Sequence, residues 1–385
     1  MAKKAPTGAT ASRDVTPVPL VPSSVSDEAT AAYAARFSDR YAPDFFRTGL
    51  TGRMLSSLGI GTYLGECSAD DDAAYADAIA AALTAGVNVV DTAINYRCQR
   101  SERAAGAAIR RALDAGVSRA AILVCTKGGY LPMAERPPES REEYREYLRR
   151  EFFASGILTQ DDVVSGGHSI SPPFLRYAIT RSRENLGVDT IDLYYLHNPE
   201  QQLGVVSPAS LRERLRAAFM VLEDAVTRGE IGAYGCATWN AFRVAPTNKS
   251  HLSIQDLVAI AQEVAGDSNH FRAIQMPINL GMPDAFRVAT QEMGKKGTLV
   301  PALQAAAGLG LSVMASASLM QAQLTHDLPP SMRELFPRQQ TDAQRSLAFV
   351  RSLPGVTTAL VGTRSLQHLA ENLASAERES GAPIE

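Results

Sequence analysis

A (β/α)8 barrel, the TIM barrel of the α/β class, is the fold that the sequence predicts. After residue 56, eight short apolar runs alternate with longer segments whose apolar residues recur at helical spacing. The runs are continuously apolar, which indicates strands buried on both faces and therefore parallel pairing. Eight strand–helix units fit a barrel, which typically has ~250 residues before insertions. A doubly wound sheet is the alternative, but the glycine cluster GIGTYLG lacks the spacing and the following helix of a dinucleotide fingerprint.

Each predicted strand is a short apolar run, and in chain order the runs are LSSLGIGT, VNVVDT, AILVCTK, IDLYYLH, IGAYGCAT, FRAIQMPI, LSVMASAS and TTALVGT. The helical segments between them include DDAAYADAIAAALTAG, SERAAGAAIRRALDAG, SPPFLRYAITRSRENLG and SPASLRERLRAAFMVLEDAVTRG. These segments begin with Ser or Asp and end with Gly, the ordinary start and stop signals of a helix.

Two segments depart from a minimal barrel. Residues 1–46 form an N-terminal extension that we expect to be partly disordered, because its start is rich in Ala, Thr and Pro and lacks the apolar stretch of a secretory signal. The barrel domain then covers residues 47–380, and the stretch FFRTGLTGRMLSSLG at residues 45–59, where this domain begins, predicts a hairpin that closes the barrel bottom. An insertion at 129–170 follows the third strand, and Ser140 and Glu143 within it predict a helix with a capping box. A substrate lid and an insertion without functional role are both open interpretations.

Composition excludes several classes of function. The chain has 385 residues, of which 45% are hydrophobic and 21% charged, as in a soluble globular protein. Its 38 Lys and Arg residues are balanced by 41 Asp and Glu residues, which argues against a nucleic-acid partner, and no apolar run reaches the ~20 residues that span a membrane. Four widely spaced cysteines favour a reduced, cytoplasmic setting, and six histidines without ligand spacing predict no metal site. We expect a small-molecule substrate, bound by a monomer or a weak homo-oligomer.

Four chemically active side chains follow neighbouring strands. Asp91 ends the second predicted strand, Lys127 the third and His197 the fourth, while Tyr96 lies in the loop after the second. Each residue alone has an ordinary explanation, as a turn former, a surface lysine, a core histidine or a packed loop tyrosine. Because adjacent parallel strands lie ~4.8 Å apart, all four side chains are expected on one rim of the barrel, and this convergence favours function.

The four residues together form a proton donor for a carbonyl oxygen. A phenol with a pKa near ~10 is a poor acid at neutral pH, and a nearby ammonium lowers that pKa. A carboxylate keeps the lysine charged, and a neutral histidine orients the substrate oxygen. The set supplies no electrons, so a hydride carrier must bind beside it.

The chain resembles the aldo-keto reductase family in LGIGTY, DTAINY with SE at 101–102, CTKGG, IDLYYLHNP, GCATWN, AIQMPINL, SVMASASLMQAQL and LVGTRSLQHLAENL, which cover about residues 47 to 377. The resemblance implies an NADP(H)-dependent oxidoreductase that transfers hydride to or from an aldehyde, ketone or sugar carbonyl. It also implies a catalytic tetrad in which Tyr96 is the general acid or base. The other members of that tetrad are Asp91, Lys127 and His197.

The resemblance also implies a cofactor site. Gln275 would bind the nicotinamide amide and Thr62 would line the cleft, and the remaining members of the set are Asp91, Thr238, Ser316, Leu319, Arg364, His368, Glu371 and Asn372. Arg364 precedes a predicted helix start that favours anions, which points to NADP(H) over NAD(H), although a plain turn with a solvated arginine stays open. Tyr63, Arg97 and Trp239 are the predicted substrate contacts, and Arg97 either pairs with Glu66 or Glu102 or clamps an anionic substrate.

Several positions depart from the family pattern. Ser316 stands where an aromatic ring usually stacks on nicotinamide, Ala237 where a serine is usual, and Arg97 where a glycine is usual. Gly362 and His368 stand where a lysine and an arginine usually bind the 2′-phosphate. Two other functions therefore remain open, a nicotinamide-binding sensor with little turnover and a lyase that uses Lys127 as a Schiff base.

Overall fold

The computed structural model describes residues 20–378. Within these residues the strands, in chain order, are β1 (Phe46–Gly49), β2 (Arg53–Ser56), β3 (Leu58–Gly61), β4 (Val89–Asp91), β5 (Leu123–Gly128), β6 (Ile191–His197), β7 (Ile231–Ala237), β8 (Phe271–Pro277), β9 (Ala289–Met293), β10 (Thr298–Pro301), β11 (Ser312–Ser316) and β12 (Val356–Gly362). In this part of the chain, eight of them form a closed barrel in the order β11, β12, β3, β4, β5, β6, β7, β8. All neighbouring pairs of the barrel are parallel. The predicted (β/α)8 barrel is confirmed, and each barrel strand lies in one of the eight predicted runs or extends beyond it by one residue.

Helices alternate with the barrel strands. In chain order the α-helices of the described residues are α1 (Asp27–Ala35), α2 (Ala69–Thr84), α3 (Arg100–Asp114), α4 (Arg141–Leu148), α5 (Pro172–Leu186), α6 (Pro208–Thr227), α7 (Ile254–Ala265), α8 (Asp284–Arg287), α9 (Ala302–Gly308), α10 (Ser331–Leu335), α11 (Asp342–Ser352) and α12 (Leu366–Ala374). None of the helices in residues 20–378 is long and apolar enough to cross a membrane.

Helix α2 shows how local sequence sets these boundaries. Ser68 caps its N-terminus, because the Ser68 side chain accepts a hydrogen bond from the Asp71 backbone N–H. The helix is followed by Gly86, whose φ of 109° lies in a region that glycine adopts without strain. Ile79 and Leu83 on one face are fully buried, and such burial stabilises the fold by about 1.5–3 kcal/mol per side chain.

The N-terminal hairpin covers the end of the barrel opposite the strand carboxyl ends. β1 and β2 pair antiparallel, with Phe46 opposite Ser56, which confirms the predicted hairpin. Leu50 and Leu55 pack in one buried cluster with barrel residues such as Met314. Residues 1–19 of the predicted extension and residues 379–385 lie outside the described residues, so the expected disorder of the leader stays a prediction.

The insertion at 129–170 contains α4, followed by a π-helical turn at Arg149–Phe153. The Ser140 side chain accepts from the Glu143 N–H as predicted. The reciprocal bond of a capping box is shifted, because the Glu143 carboxylate accepts from the N–H of Glu139 one residue earlier.

A second antiparallel hairpin, β9–β10, was not predicted.

Strand register aligns the carboxyl ends that carry the candidate site. Asp91 is the last residue of β4, and Lys127 lies one residue before the end of β5. His197 at the end of β6 pairs with Ala237 on β7, which pairs in turn with Gln275 on β8. The predicted rim residues therefore occupy neighbouring positions around one opening of the barrel.

Candidate active site

The charged pair of Asp91 and Lys127 lies at the base of the site. Lys127 Nζ donates to Asp91 Oδ1 at 2.5 Å and to the carbonyl oxygen of Thr92 at 2.8 Å. Both side chains are buried, and a buried charge is stable only when it is paired and hydrogen-bonded. Desolvation opposes the lysine charge, but the Asp91 carboxylate outweighs it, so the pKa of Lys127 lies above its ordinary value. The ammonium is therefore charged and fixed in position.

Tyr96 lies beside this ammonium. Lys127 Nζ is 5.1 Å from the centre of the Tyr96 ring. Burial raises the pKa of Tyr96 above its ordinary value, and the charge of Lys127 acts in the opposite direction. The predicted effect of the ammonium is therefore present, but desolvation of the phenolate exceeds it and the pKa is not lowered overall.

His197 approaches Tyr96 from the end of β6. The two rings meet edge to face with centroids 5.8 Å apart. Desolvation, with the nearby Lys127 charge, holds the pKa of His197 well below its ordinary value, so the imidazole is neutral. His168 of the insertion fixes this strand end, because its Nε2 lies 2.8 Å from the His197 carbonyl oxygen, which can only accept. The other ring nitrogen of His168 then accepts from the Gln202 side chain at 2.8 Å.

These residues border a cavity of about 710 Å³ at the carboxyl ends of the strands. Asp91, Tyr96 and His197 line it directly, and Lys127 lies behind Asp91. Two further predicted site residues, Arg97 and Arg364, do not line it either. The other predicted cofactor and substrate residues do: Thr62, Tyr63, Thr238, Trp239, Gln275, Ser316, Leu319, His368, Glu371 and Asn372.

Amide and hydroxyl groups from β8 and from the segments after β3 and β7 line the cavity together with Asp91. Gln275 Nε2 donates to Asp91 Oδ2 at 2.8 Å, and Thr62 Oγ1 donates to Thr92 Oγ1 at 2.8 Å. Thr238 Oγ1 is buried and has no hydrogen-bond partner among the described residues, although Thr238 lines the cavity. An unpartnered buried hydroxyl is costly, so a ligand that bonds to it is favoured at this position.

The far end of the cavity is formed by the start of α12. The Ser365 side chain accepts from the His368 N–H at 3.3 Å, which satisfies one of the free donors of the helix start. Arg364 is half-exposed, and its Nε lies 3.1 Å from Oδ1 of Asp71 in the first turn of α2. The positive charge predicted to bind the cofactor phosphate is thus already partly balanced by a carboxylate.

Arg97 is not a substrate contact in this structure. Its side chain is 1% exposed, and Nη2 lies 2.6 Å from Asp72 Oδ1. Nε donates to the carbonyl oxygen of Glu66 at 2.8 Å, and the guanidinium lies 5.2 Å from the centre of the Tyr75 ring. The structural alternative is correct, although the carboxylate partner is Asp72 and not Glu66 or Glu102.

Three polar residues that sequence analysis missed line the cavity near the tetrad. Asn198 Nδ2 donates to the Tyr130 hydroxyl at 2.9 Å, and the Tyr130 ring stands perpendicular to His197 with centroids 5.0 Å apart. Asn95 Oδ1 is buried without a partner among the described residues. Asn95 lies within DTAINY and Asn198 within LHNP, so their position beside predicted catalytic residues was the available signal.

Glu200 supports the rim of the cavity from behind. Its Oε1 accepts from the backbone N–H of Trp239 at 3.0 Å, while within residues 20–378 Oε2 has no partner. Burial raises the pKa of Glu200 from 4.5 to about 7. The indole of Trp239 itself is half-exposed at the cavity mouth.

Comparison with known proteins gives consistent results. The sequence profile described as the aldo/keto reductase family matches residues 57–260. A curated relative, D-threo-aldose 1-dehydrogenase from a Pseudomonas species, is 33% identical over 172 residues, which is 43% of this chain and 44% of that protein. The matched part thus spans less than half of that relative.

Solved structures of low sequence identity share the fold. An aldo/keto reductase from Klebsiella pneumoniae in complex with NADP and acetate has a TM-score of 0.55 at 20% identity, covering 86% of this chain and 89% of its own. An aldo-keto reductase from Bacillus halodurans in its holo form has a TM-score of 0.55 at 17% identity, covering 86% and 90%. Since the family profile covers more than half of the sequence and the barrel agrees with it, the chain belongs to the aldo/keto reductase family.

Proposed function

We propose that this protein is an NADP(H)-dependent oxidoreductase that transfers hydride between nicotinamide and an aldehyde, ketone or sugar carbonyl. The observation that carries the proposal is the placement of Tyr96 at the cavity wall, 5.1 Å by its ring centre from the buried Lys127 ammonium. This ammonium can stabilise the phenolate that forms when the phenol gives up its proton. Membership of the family supports the same reaction class.

The residues of the cavity fit a nicotinamide cofactor. Thr238 Oγ1, which lacks a partner within the described chain, and the Gln275 amide would bind the carboxamide group. Helix α12 would place its N-terminus and His368 at the phosphate and adenosine end. When bound, the cofactor supplies or accepts the hydride that no amino-acid side chain can provide.

The side chains of the protein carry out the remaining steps of the proposed reaction. In reduction, Tyr96 gives its proton to the carbonyl oxygen, and the fixed Lys127 charge stabilises the phenolate left behind. Asp91 keeps that charge in place through its 2.5 Å contact. Neutral His197, at the cavity wall, is suited to hydrogen-bond the same oxygen and orient it. In oxidation the phenolate takes the proton from the alcohol.

An aldose is the substrate class that the cavity favours. Asn95, Tyr130 and Asn198 place amide and hydroxyl groups on the wall beside Tyr96, and such groups bind sugar hydroxyls. Trp239 at the mouth offers a flat ring for the apolar face of a sugar. The curated relative named D-threo-aldose 1-dehydrogenase points to the same class.

A substrate panel with both cofactors tests the proposal. We expect steady reduction of NADP+ with aldoses, or oxidation of NADPH with aldehydes, well above the rate without substrate. A nicotinamide sensor would instead bind the cofactor, seen by fluorescence titration, and show no turnover with any member of the panel. Ser316, which offers no aromatic ring at the nicotinamide position, is the observation that keeps this second candidate open.

A further inference from the structure

Two free cysteines lie in contact behind the proposed proton donor. The Sγ atoms of Cys67 and Cys98 are 3.3 Å apart, although the residues are 31 positions apart in the chain. The other two cysteines, Cys125 and Cys236, are fully buried in barrel strands. This distance is longer than the ~2.05 Å of a disulfide bond, so the two thiols are in contact but not bonded.

The pair joins two loops at the cavity. Cys67 lies between β3 and α2, in the loop that also presents Tyr63 and Leu64 to the cavity. Cys98 comes two residues after Tyr96, inside a run of three left-handed residues with φ of 48°, 55° and 68°. Non-glycine residues adopt this conformation only where surrounding contacts impose it.

Hydrogen bonds of the neighbouring Arg97 side chain hold the two sulfur atoms opposite each other. Arg97 beside Cys98 donates to the carbonyl oxygen of Glu66 at 2.8 Å and to that of Ser68 at 3.3 Å, the two neighbours of Cys67. Its ion pair with Asp72 adds a link to the first turn of α2. The two thiols therefore face each other in a site that partly buried hydrogen bonds hold in place.

The two thiols differ in their exposure to solvent. Cys67 is partly exposed, whereas Cys98 is 7% exposed, and burial raises the pKa of the Cys98 thiol to about 12. The guanidinium groups of Arg100 and Arg103 lie near the pair, and Arg103 Nη2 is 3.4 Å from the Cys98 carbonyl oxygen. Cys67 is the more exposed of the two thiols, so an oxidant reaches it first and the buried Cys98 reacts second.

We propose that Cys67 and Cys98 form an oxidation site in which a hydroperoxide converts the two thiols into an intramolecular disulfide. The Cys67 thiol loses its proton and its sulfur attacks the peroxide, so that an S–O bond forms and the O–O bond breaks. The leaving oxygen takes up that proton and departs as an alcohol or water. The Cys98 sulfur then attacks the Cys67 sulfur, the S–S bond forms, and the hydroxyl leaves as water with the Cys98 proton. Two thiols lose two electrons in total, and the hydroperoxide gains them.

Mass spectrometry of the full chain treated with hydrogen peroxide tests the site. We expect loss of two hydrogens, a cross-link between the peptides that contain Cys67 and Cys98, and reversal by a dithiol reductant. Cys67→Ser should abolish the cross-link, and Cys98→Ser should leave a sulfenic acid at Cys67 that dimedone labels. Cys236→Ala is the matched control and should cross-link at the wild-type rate, because Cys236 lies in the barrel.

Direct conversion of wild-type Cys67 to a sulfinic acid, with no cross-link, would overturn the proposal. Cross-links that join two chains would overturn it as well. Peptide mapping of the wild type is sufficient to test the site, so the test still works if one of the variants fails to fold. The readout is mass and not turnover, so it is independent of the proposed reductase function.

Discussion

At the scale of single residues, Tyr96 is governed by two opposing effects. Burial favours the neutral phenol, and the Lys127 ammonium favours the phenolate. In the proposed reaction, a phenol that stays protonated at neutral pH is available as the proton donor in every turnover. The nearby charge lowers the cost of losing that proton when the carbonyl oxygen becomes negative.

Replacement of this phenol should separate catalysis from binding. Tyr96→Phe is expected to lower kcat by about a hundredfold or more, the usual size of general acid catalysis, with little change in cofactor affinity. Tyr130→Phe is the control, because it also removes a hydroxyl from the cavity wall but not from the Lys127 contact. Steady-state kinetics and fluorescence titration of NADPH measure both effects. A Tyr96→Phe variant with at least half of the wild-type kcat would remove Tyr96 from this role.

Glu200 makes stability depend on pH. Below its ordinary pKa of 4.5 both folded and unfolded chains keep the proton, and above about 7 both lose it. Between these values the unfolded chain alone loses it, so stability falls as pH rises. Glu200→Gln removes this loss and should be more stable than wild type above pH 7 by up to about 3 kcal/mol, at ~1.4 kcal/mol per pKa unit.

Urea denaturation of both proteins at pH values from about 4.5 to 8 measures the difference. His168, whose pKa burial lowers to about 4, acts in the opposite direction in both proteins and cancels in the comparison. Glu213→Gln, at an exposed position, should run parallel to wild type. A constant difference between Glu200→Gln and wild type at all pH values would show that ionisation of Glu200 is not the cause.

The sequence located the rim residues but not the direction of every side chain. Asp91, Lys127 and His197 were found because strand ends follow from apolar runs. One of the two interpretations of Arg97 assigned the wrong direction to its side chain. That direction depends on a left-handed backbone conformation, which none of the residue types in this segment predicts. The pKa of Tyr96 depends on burial, which is a property of the folded cavity and not of the motif.

At the scale of elements, the buried barrel strands were predictable, whereas the exposed hairpin β9–β10 was not. All residues of β5 and β6 are buried, and continuous apolar runs indicate such strands directly. The hairpin β9–β10 has strands of 5 and 4 residues, most of them partly or fully exposed, so its pattern is weak. Its turn between Gly294 and Gly297, both with positive φ, was the remaining signal.

The loops after β3 and β4 depend on Arg97 as a scaffold. Arg97→Ala leaves Asp72 with Arg100 as its partner and removes the hydrogen bonds to two carbonyl oxygens, so we expect a loss of about 2–3 kcal/mol in unfolding free energy. Denaturant unfolding measures this loss. In kinetics, KM should change equally for an anionic substrate and its neutral analogue. A selective rise for the anionic substrate would restore the substrate contact that the structure argues against.

At the scale of the whole molecule, the cavity collects residues from loops all around the barrel. Its wall includes Thr62 after β3, Tyr96 after β4, Thr238 after β7 and His368 on α12. These positions are far apart in the chain and become neighbours only when the barrel closes. A cofactor bound across them therefore stabilises the closed barrel as one unit, by about 2.7 kcal/mol at a hundred times its Kd.

This linkage gives a test of cofactor preference that does not require a known substrate. At equal concentration, NADPH should raise the melting temperature of the wild type more than NADH, because Arg364 can form charge-assisted bonds to the 2′-phosphate. The pair with Asp71 weakens this preference, so Asp71→Asn should widen the difference between the cofactors.

Arg364→Ala should weaken NADPH binding by roughly tenfold to a hundredfold, as expected for lost hydrogen bonds to a charged group, and leave NADH unchanged. Arg287→Ala, at an exposed position outside the cavity wall, is the control and should match wild type. Equal shifts with both cofactors in the wild type would contradict the NADP(H) assignment, and an equal loss for both in Arg364→Ala would place Arg364 outside phosphate recognition.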